Sequence, residues 1–246
     1  MKLALIGYGK MGKAIEEIAL QKNHSIVLKV DEHNASTFTR EELAAADAAI
    51  EFTAPEAAFR NILKCFDAGV PVVSGTTGWL DKMDEVKKIC AEKKQAFFYA
   101  SNYSIGVNLF FEVNKKLAEL MNSQAQYDEI FINEIHHIHK LDAPSGTAIS
   151  LAEQVLGKVK RLKRWSNYSP DESKAPEKKN EELPIFSSRE GDVPGTHIVK
   201  YFSREDEIEI RHKAFNRKGF ASGAVLAAEW IKGKTGVFGM KDLLNL

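Results

Sequence analysis

The first hundred residues alternate short apolar runs with helical patterns, and this rhythm constrains the fold more than any other feature. Residues 3–6, 25–30, 48–52, 70–74 and 96–99 are apolar and of strand length. Between the first two, Ala14, Ile15, Ile18 and Ala19 recur at helical spacing, and residues 55–68 and 82–94 carry similar patterns. Apolar strands without strict polar alternation are those covered on both faces. Strands interleaved with helices build a parallel sheet from right-handed βαβ units. The expectation is an α/β fold whose N-terminal part is a Rossmann-type, doubly wound parallel sheet.

The turn after the first run sharpens that expectation. Gly7-Tyr8-Gly9-Lys10-Met11-Gly12 follows a strand, opens a helix, and is followed 19 positions beyond Gly12 by Asp31 at the end of the second strand. Glycine triplets occur by chance, but this context is what dinucleotide binding requires. Gly7 permits the tight turn, Gly9 lets backbone approach a pyrophosphate, and Gly12 allows close helix–strand packing. Asp31 would accept hydrogen bonds from the adenosine ribose. Asp31 and Glu32 disfavour a 2′-phosphate, whereas Lys10 and His33 offset its charge. NADH is therefore the expected coenzyme, with NADPH tolerated. Gly75-Thr76-Thr77 and Ala100-Ser101-Asn102-Tyr103 sit at later strand ends, where they are either plain turns or coenzyme contacts.

After residue 103 the pattern changes. Residues 107–121 read as a helix, 127–137 as an alternating strand, and 143–156 as a helix opened by Pro144. Residues 158–184 are charged and poorly periodic, and read as an excursion or long loop. Residues 197–202 and 207–212 read as antiparallel strands joined by a polar turn at 203–206. Residues 220–232 form an apolar helix, followed by glycine-rich punctuation and a short tail. The division expected is a dinucleotide domain over 1–103 and an α+β domain over 104–213. The segment from about 214 to 246 is expected to pack back on the first domain.

Lys plus Arg and Asp plus Glu both number 34, so no overall field draws the chain to nucleic acid or membrane. Lys158-Val-Lys-Arg-Leu-Lys-Arg164 is a basic run, but it is short and followed by acidic residues, so a solvated face suits it better. Cys65 and Cys90 form no framework, the N-terminus meets its glycine loop too early for a leader's apolar region, and no apolar run reaches bilayer length. A cytoplasmic protein is expected.

Chemistry concentrates in Glu134-Ile-His-His-Ile-His-Lys-Leu-Asp-Ala-Pro-Ser-Gly-Thr147. In an extended strand His136, Ile138 and Lys140 share one face, and His137 and His139 the other. His and Lys supply protons and charge, while the amides of Gly146 and Thr147 at a helix start can hold a carboxylate. Two other readings compete. His-x-His spacing suits a metal, although Lys140 would repel a cation and no Cys is near; or the histidines only bond backbone. The expectation is a small polyanionic acid as substrate, proton transfer and no metal. Arg189 and His197, flanking Gly191 and Gly195, either face an anion or belong to a glycine turn.

Taken in order, the glycine loop, Gly75-Thr-Thr, Ala100-Ser-Asn-Tyr-Ser, the His-His-x-His-Lys and Pro-Ser-Gly-Thr block, Arg189-x-Gly-x-x-x-Gly-x-His197, His212-Lys-Ala and Gly239-Met-Lys-Asp-Leu-Leu resemble the dihydrodipicolinate reductase family, end to end. The resemblance implies a 4-hydroxy-tetrahydrodipicolinate reductase of diaminopimelate and lysine biosynthesis, which reduces a cyclic dicarboxylate with NAD(P)H and loss of water. It implies His136 and Lys140 as catalytic residues, His137, Gly146 and Thr147 as substrate ligands, and coenzyme contacts at 7–12, Asp31, 75–77 and 100–103. It also implies that 104–213 is the substrate-binding and oligomerisation domain, with a mixed sheet, and that the protein is a homotetramer joined through these sheets. Three departures stand out: Ile138 replaces a common Arg, only about 20 residues separate Asp31 from Ile50-Glu-Phe-Thr53, so the helix there is missing or very short, and Glu32 replaces the usual basic residue. Two rivals are a semialdehyde dehydrogenase, which needs a nucleophilic Cys, and an NADH-sensing module without turnover, which needs no protonatable cluster.

Overall fold

The computed structural model describes residues 1–168, 181–216 and 218–246. In chain order the elements are β1 (Lys2–Ile6), α1 (Lys10–Gln21), β2 (Ser25–Val30), α2 (Arg40–Ala44), β3 (Ala48–Glu51), α3 (Pro55–Asp67), β4 (Val72–Ser74), α4 (Met83–Glu92) and β5 (Ala96–Tyr99). They continue as α5 (Ile105–Met121), β6 (Glu129–His136), α6 (Gly146–Leu156), β7 (Arg164–Tyr168), β8 (Glu182–Arg189), β9 (Gly195–Phe202) and β10 (Glu207–Ala214). The chain closes with α7 (Lys218–Ile231), β11 (Gly236–Phe238) and α8 (Met240–Leu244). Two compact units result: Met1–Asn108 with Arg217–Leu246, and Leu109–Asn216.

The first unit is a six-stranded sheet in the order β11-β5-β4-β3-β1-β2, with every pairing parallel. Both faces are covered, which is why β1 and β3 read as unbroken apolar runs. On one face Ile15, Ile18 and Ala19 of α1 pack with Ala221, Ala224, Val225 and Ala228 of α7. On the other, Ala58, Ile62, Cys65 and Phe66 of α3 pack with Val86 and Cys90 of α4. Strand order reverses between β1 and β3, and ligand crevices of such sheets open at the carboxyl ends beside that point.

Two features of this unit depend on contacts more than on local sequence. α2 is five residues long, in keeping with the short Asp31-to-Ile50 segment. A capping box holds it: Thr39 Oγ1 accepts from the Glu42 amide at 3.2 Å, and Glu42 accepts from the Thr39 amide at 2.7 Å. The tail expected after residue 232 is instead the edge strand β11, paired in parallel with Ala96–Phe98 of β5 and followed by α8. Three residues are too few for a periodic signal; pairing alone makes them a strand.

The second unit is a five-stranded mixed sheet in the order β10-β9-β6-β8-β7, with β6 central. β6 runs antiparallel to β9 and parallel to β8. The excursion expected over 158–184 is corrected in part. β7 lies wholly inside it and β8 begins inside it, while residues 169–180 fall outside the described residues. β7 reads Arg-Trp-Ser-Asn-Tyr, too polar to announce a strand. The β9–β10 hairpin forms as expected, its turn closed by Ser203, whose amide donates to the Asp206 carbonyl at 3.0 Å. One face of the sheet packs Ile130, Ile132, Ile185 and Val199 against Leu151, Ala152 and Val155 of α6. Helix α6 starts at Gly146 with Ser145 as its N-cap, so Pro144 precedes the helix and does not open it.

Candidate active site

Alternation along β6 puts Ile130, Ile132, Glu134 and His136 on the buried face of the second unit's sheet. That face is apolar at the start of the strand and polar at its end. Register sets Glu134 opposite His197 of β9 and Ser187 of β8, and His136 opposite Arg189.

Glu134 is the centre of this group, with no exposed surface. Its two oxygens accept from the Ser145 amide at 3.1 and 3.0 Å, so the carboxylate docks the α6 start onto the end of β6. Arg189 lies 3.4 Å from Glu134 Oε1. His136 Nδ1 is 3.5 Å from Glu134 Oε2 without hydrogen-bond geometry, and His197 Nε2 is 3.8 Å away. His197 Nε2 meets Ser145 Oγ at 3.1 Å, and that oxygen also accepts from the Ala148 amide at 3.2 Å as the N-cap. The amides of Gly146 and Thr147 have no acceptor among the described residues, and Gly146 is exposed. With no acidic side chain in the first turn of α6, these amides suit an anion.

Burial lowers the proton affinity of His136, and Lys140 and Arg189 lower it further; Glu134 acts in the opposite direction. Burial, and then the His136 charge, push His197 down to about 3, so it is neutral at any working pH. A residue other than glycine at 195 would bring its Cβ within 3.2 Å of His136 Nε2.

Lys140 is not carried by the strand. β6 ends at His136, and a turn follows in which the Lys140 amide donates to the His137 carbonyl at 3.1 Å. The shared faces expected for 136, 138 and 140 therefore do not form, and Ile138 is exposed. Arg189 holds this turn through the carbonyls of Lys140 and Asp142, so its charge serves protein acceptors and not a free anion. The Lys140 ammonium lies 2.8 Å from both Asp142 oxygens. His137 is half-buried, with a buried Nδ1 that has no partner among the described residues, and His139 is exposed.

Glu134, His136 and His197 present ligand-type atoms within 4.8 Å of one another. The Glu134 oxygens already hold the Ser145 amide, and the Arg189 guanidinium beside them opposes a second cation. The cluster thus reads as a charge and a hydrogen-bonded frame of Glu134, Ser145, His197 and Arg189 packed beside His136. Its key members, Glu134 and Ser145, were quoted in the sequence motif without a role. Glu134 stands two positions before His136, so strand alternation alone would have put them on one face.

In the first unit the glycine loop has the geometry its sequence asks for. Gly7 has φ +99°, and a Cβ there would lie 1.9 Å from the Phe52 carbonyl oxygen. A Cβ on Gly12 would lie 2.4 Å from the Gly7 carbonyl oxygen, whereas one on Gly9 would meet nothing within 4 Å. The amides of Gly7 and Tyr8 donate to the Val30 carbonyl at 2.9 Å, and α1 has neither an acidic first turn nor a side-chain cap. Lys10 is exposed and Met11 half-buried at the helix start. Asp31 accepts from the His33 amide at 2.9 Å, keeping its carboxylate at the end of β2. At the later strand ends Thr77 and Ser101 are exposed, while Thr76 and Ala100 are buried. Asn102 accepts from the Ser104 amide at 2.9 Å, and buried Tyr103 donates to the Ser74 carbonyl at 2.7 Å. Cys65 and Cys90 are fully buried, and burial raises both thiols, which removes the nucleophile a semialdehyde dehydrogenase requires.

Comparison with known proteins bears on both units. Residues 1–103 match the family model for the N-terminus of dihydrodipicolinate reductase, and residues 106–244 match that for its C-terminus. The chain is 50% identical over 249 residues to the 4-hydroxy-tetrahydrodipicolinate reductase of Christiangramia forsetii, covering 100% of this chain and 98% of that relative. It is 39% identical to the enzyme of the same description from Neisseria gonorrhoeae, over 83% of this chain and 74% of the relative. A dipicolinate-bound dihydrodipicolinate reductase from Paenisporosarcina sp. TG-14 shares the fold, with a TM-score of 0.76, 24% identity and 98% of each chain covered.

Proposed function

The chain belongs to the dihydrodipicolinate reductase family, and on that premise we propose how its residues divide the work of reducing 4-hydroxy-tetrahydrodipicolinate. It is an oxidoreductase of diaminopimelate and lysine biosynthesis. The reduced nicotinamide coenzyme supplies the hydride. The glycine loop, with its open Gly9 and unopposed helix start, suits the coenzyme pyrophosphate. Asp31 receives the adenosine ribose, and Asp31 with Glu32 makes NADH the preferred coenzyme, with NADPH tolerated through Lys10 and His33. Residues 75–77 and 100–103 receive the nicotinamide end.

In the second unit His136 and Lys140 carry the proton chemistry, while His137, Gly146 and Thr147 hold the substrate. Hydride adds at one end of a conjugated C=C–C=N system, so negative charge gathers toward the ring nitrogen. A protonated His136 or Lys140 stabilises that charge and delivers the proton, a contribution typically of about 10²- to 10⁴-fold. Burial makes the His136 imidazolium a readier acid than an exposed one. The Gly146 and Thr147 amides take one substrate carboxylate and Lys140 compensates the other charge, fixing the ring for attack. A single observation carries this reading: both Glu134 oxygens bind the Ser145 amide, so one carboxylate fixes the anion-binding helix start beside His136.

The aromatic face of the second unit's sheet supports a homotetramer. Tyr168, Phe186, Phe131 and Phe202 form a run of ring contacts across four strands, the last pair stacked at 5.2 Å. Half-buried rings at the core of such a face are what an obligate interface uses. No helix among the described residues is long and apolar enough to cross a membrane. The free thiols suit the cytoplasm.

The test is NADH oxidation with freshly generated substrate. His136→Ala is expected to lower the catalytic rate by at least about a hundredfold while NADH affinity stays within about threefold. Turnover equal to wild type removes His136 from the mechanism.

A further inference from the structure

A second buried carboxylate, Glu51, lies at the carboxyl end of β3 in the first unit, where strand order reverses. It has no exposed surface and no ion pair among the described residues. Four donors converge on it: the Thr53 amide at 3.0 Å, the Thr53 hydroxyl, the Ser74 hydroxyl and the Thr76 hydroxyl at 2.8 Å. A carboxylate buried without a cation is costly, and an acceptor-only group is what four converging donors require.

The same atoms are tied to one another and to their neighbours. Thr76 Oγ1 accepts from the Thr53 amide at 2.7 Å, and the Thr76 carbonyl accepts from the Trp79 indole at 2.7 Å. The Ser74 carbonyl accepts from Tyr103, which follows β5. A Cβ on Gly75 would lie 2.2 Å from the Phe52 ring, so the backbone there is wedged in place. The chain segments leaving β3, β4 and β5 therefore meet in one network whose centre is Glu51.

We propose that Glu51 is a positioning residue for coenzyme binding. It draws the Thr53, Ser74 and Thr76 hydroxyls inward and so shapes the 75–77 backbone that receives the nicotinamide end. The Thr76 hydroxyl then acts through Glu51, leaving the Thr76 backbone and the exposed Thr77 side chain to the coenzyme. This rests on the reading that the carboxyl ends of these strands hold the coenzyme.

The experiment is a fluorescence titration of the full chain with NADH, comparing wild type, Glu51→Gln, Thr76→Val, Thr76→Ser and the Gln/Val double variant. Gln replaces one acceptor oxygen by a donor facing other donors. Glu51→Gln and Thr76→Val are each expected to weaken NADH binding about tenfold, one or two hydrogen bonds' worth. The double variant is expected to bind no worse than the weaker single, Thr76→Ser to restore affinity, and kcat of Glu51→Gln at saturating coenzyme to stay within about threefold. Glu51→Gln binding like wild type overturns the proposal. So do losses that multiply in the double variant, because the Thr76 hydroxyl then contacts the coenzyme directly. Equal falls in affinity, kcat and melting temperature overturn it too, because Glu51 then only supports the fold. A wild-type chain that does not bind NADH overturns the coenzyme reading itself.

Discussion

Glu134→Gln separates the electrostatic role of this buried carboxylate from its architectural one. The amide keeps an oxygen for the Ser145 N–H, so the docking of α6 survives in part, while the charge beside His136 is lost. Opposite unit charges about 4 Å apart interact by about 4 kcal/mol at an effective dielectric of 20. Glu134 and His136 are 3.5 Å apart, but Arg189 sits 3.4 Å from the same carboxylate and offsets part of its field. A net loss of about 1.4 to 2.8 kcal/mol of imidazolium stabilisation follows, one to two factors of ten in the protonated fraction. The sign is fixed by the causes: burial already lowers the His136 proton affinity, Glu134 raises it, and removing Glu134 lowers it again. The donor form then persists only at lower pH. The assay is kcat against pH with saturating NADH and substrate, alongside thermal unfolding. The alkaline limb of the variant should move to lower pH, with the rate recovering toward wild type on acidification, and stability should fall by about 1–3 kcal/mol. A profile lowered equally at every pH, with its limbs unmoved, refutes the electrostatic argument.

Three further outcomes test the site. His197 is neutral in the fold, its imidazole held down to about 3, but protonates when unfolded near an ordinary value of about 6.5. Stability is therefore lost as pH falls below about 6.5, and urea unfolding of His197→Gln should show a shallower acid slope than wild type; parallel slopes count against it. Gly195→Ala places a Cβ 3.2 Å from His136 Nε2 and should lower kcat about tenfold with NADH affinity unchanged, whereas an unchanged kcat shows that this ring edge is not used. Asp142→Asn removes the partner that Lys140 holds at 2.8 Å and should lower the substrate KM about two- to fivefold; a raised KM means that Asp142 aims the lysine instead.

The sequence alone was enough for the parallel sheet of β1 to β5 and for the reductase family. Gly7, Gly9, Gly12 and Asp31 are informative because their roles are local: a positive φ, a close approach and a strand end are all set within about thirty residues. The strand–helix rhythm is equally local, since periodicity along one element reports which faces are covered. The His and Lys block suggests proton chemistry on residue type alone, and the variants above test it. What local pattern could not supply was anything fixed by pairing between distant segments. β7 and β11 are strands because neighbouring strands bond them, despite a polar and a very short sequence. The placement of Lys140 escaped strand alternation because Arg189, 49 positions away, pins the carbonyls of a turn that ends the strand at His136. Glu134 and Glu51 are the sharpest cases. Each resembles an ordinary strand glutamate until tertiary structure withdraws it from water and surrounds it with donors from two segments, 53 and 74–76 for Glu51, Ser145 and Arg189 for Glu134. Burial turns a cheap surface charge into one that must be matched, and only the folded chain reveals which donors match it.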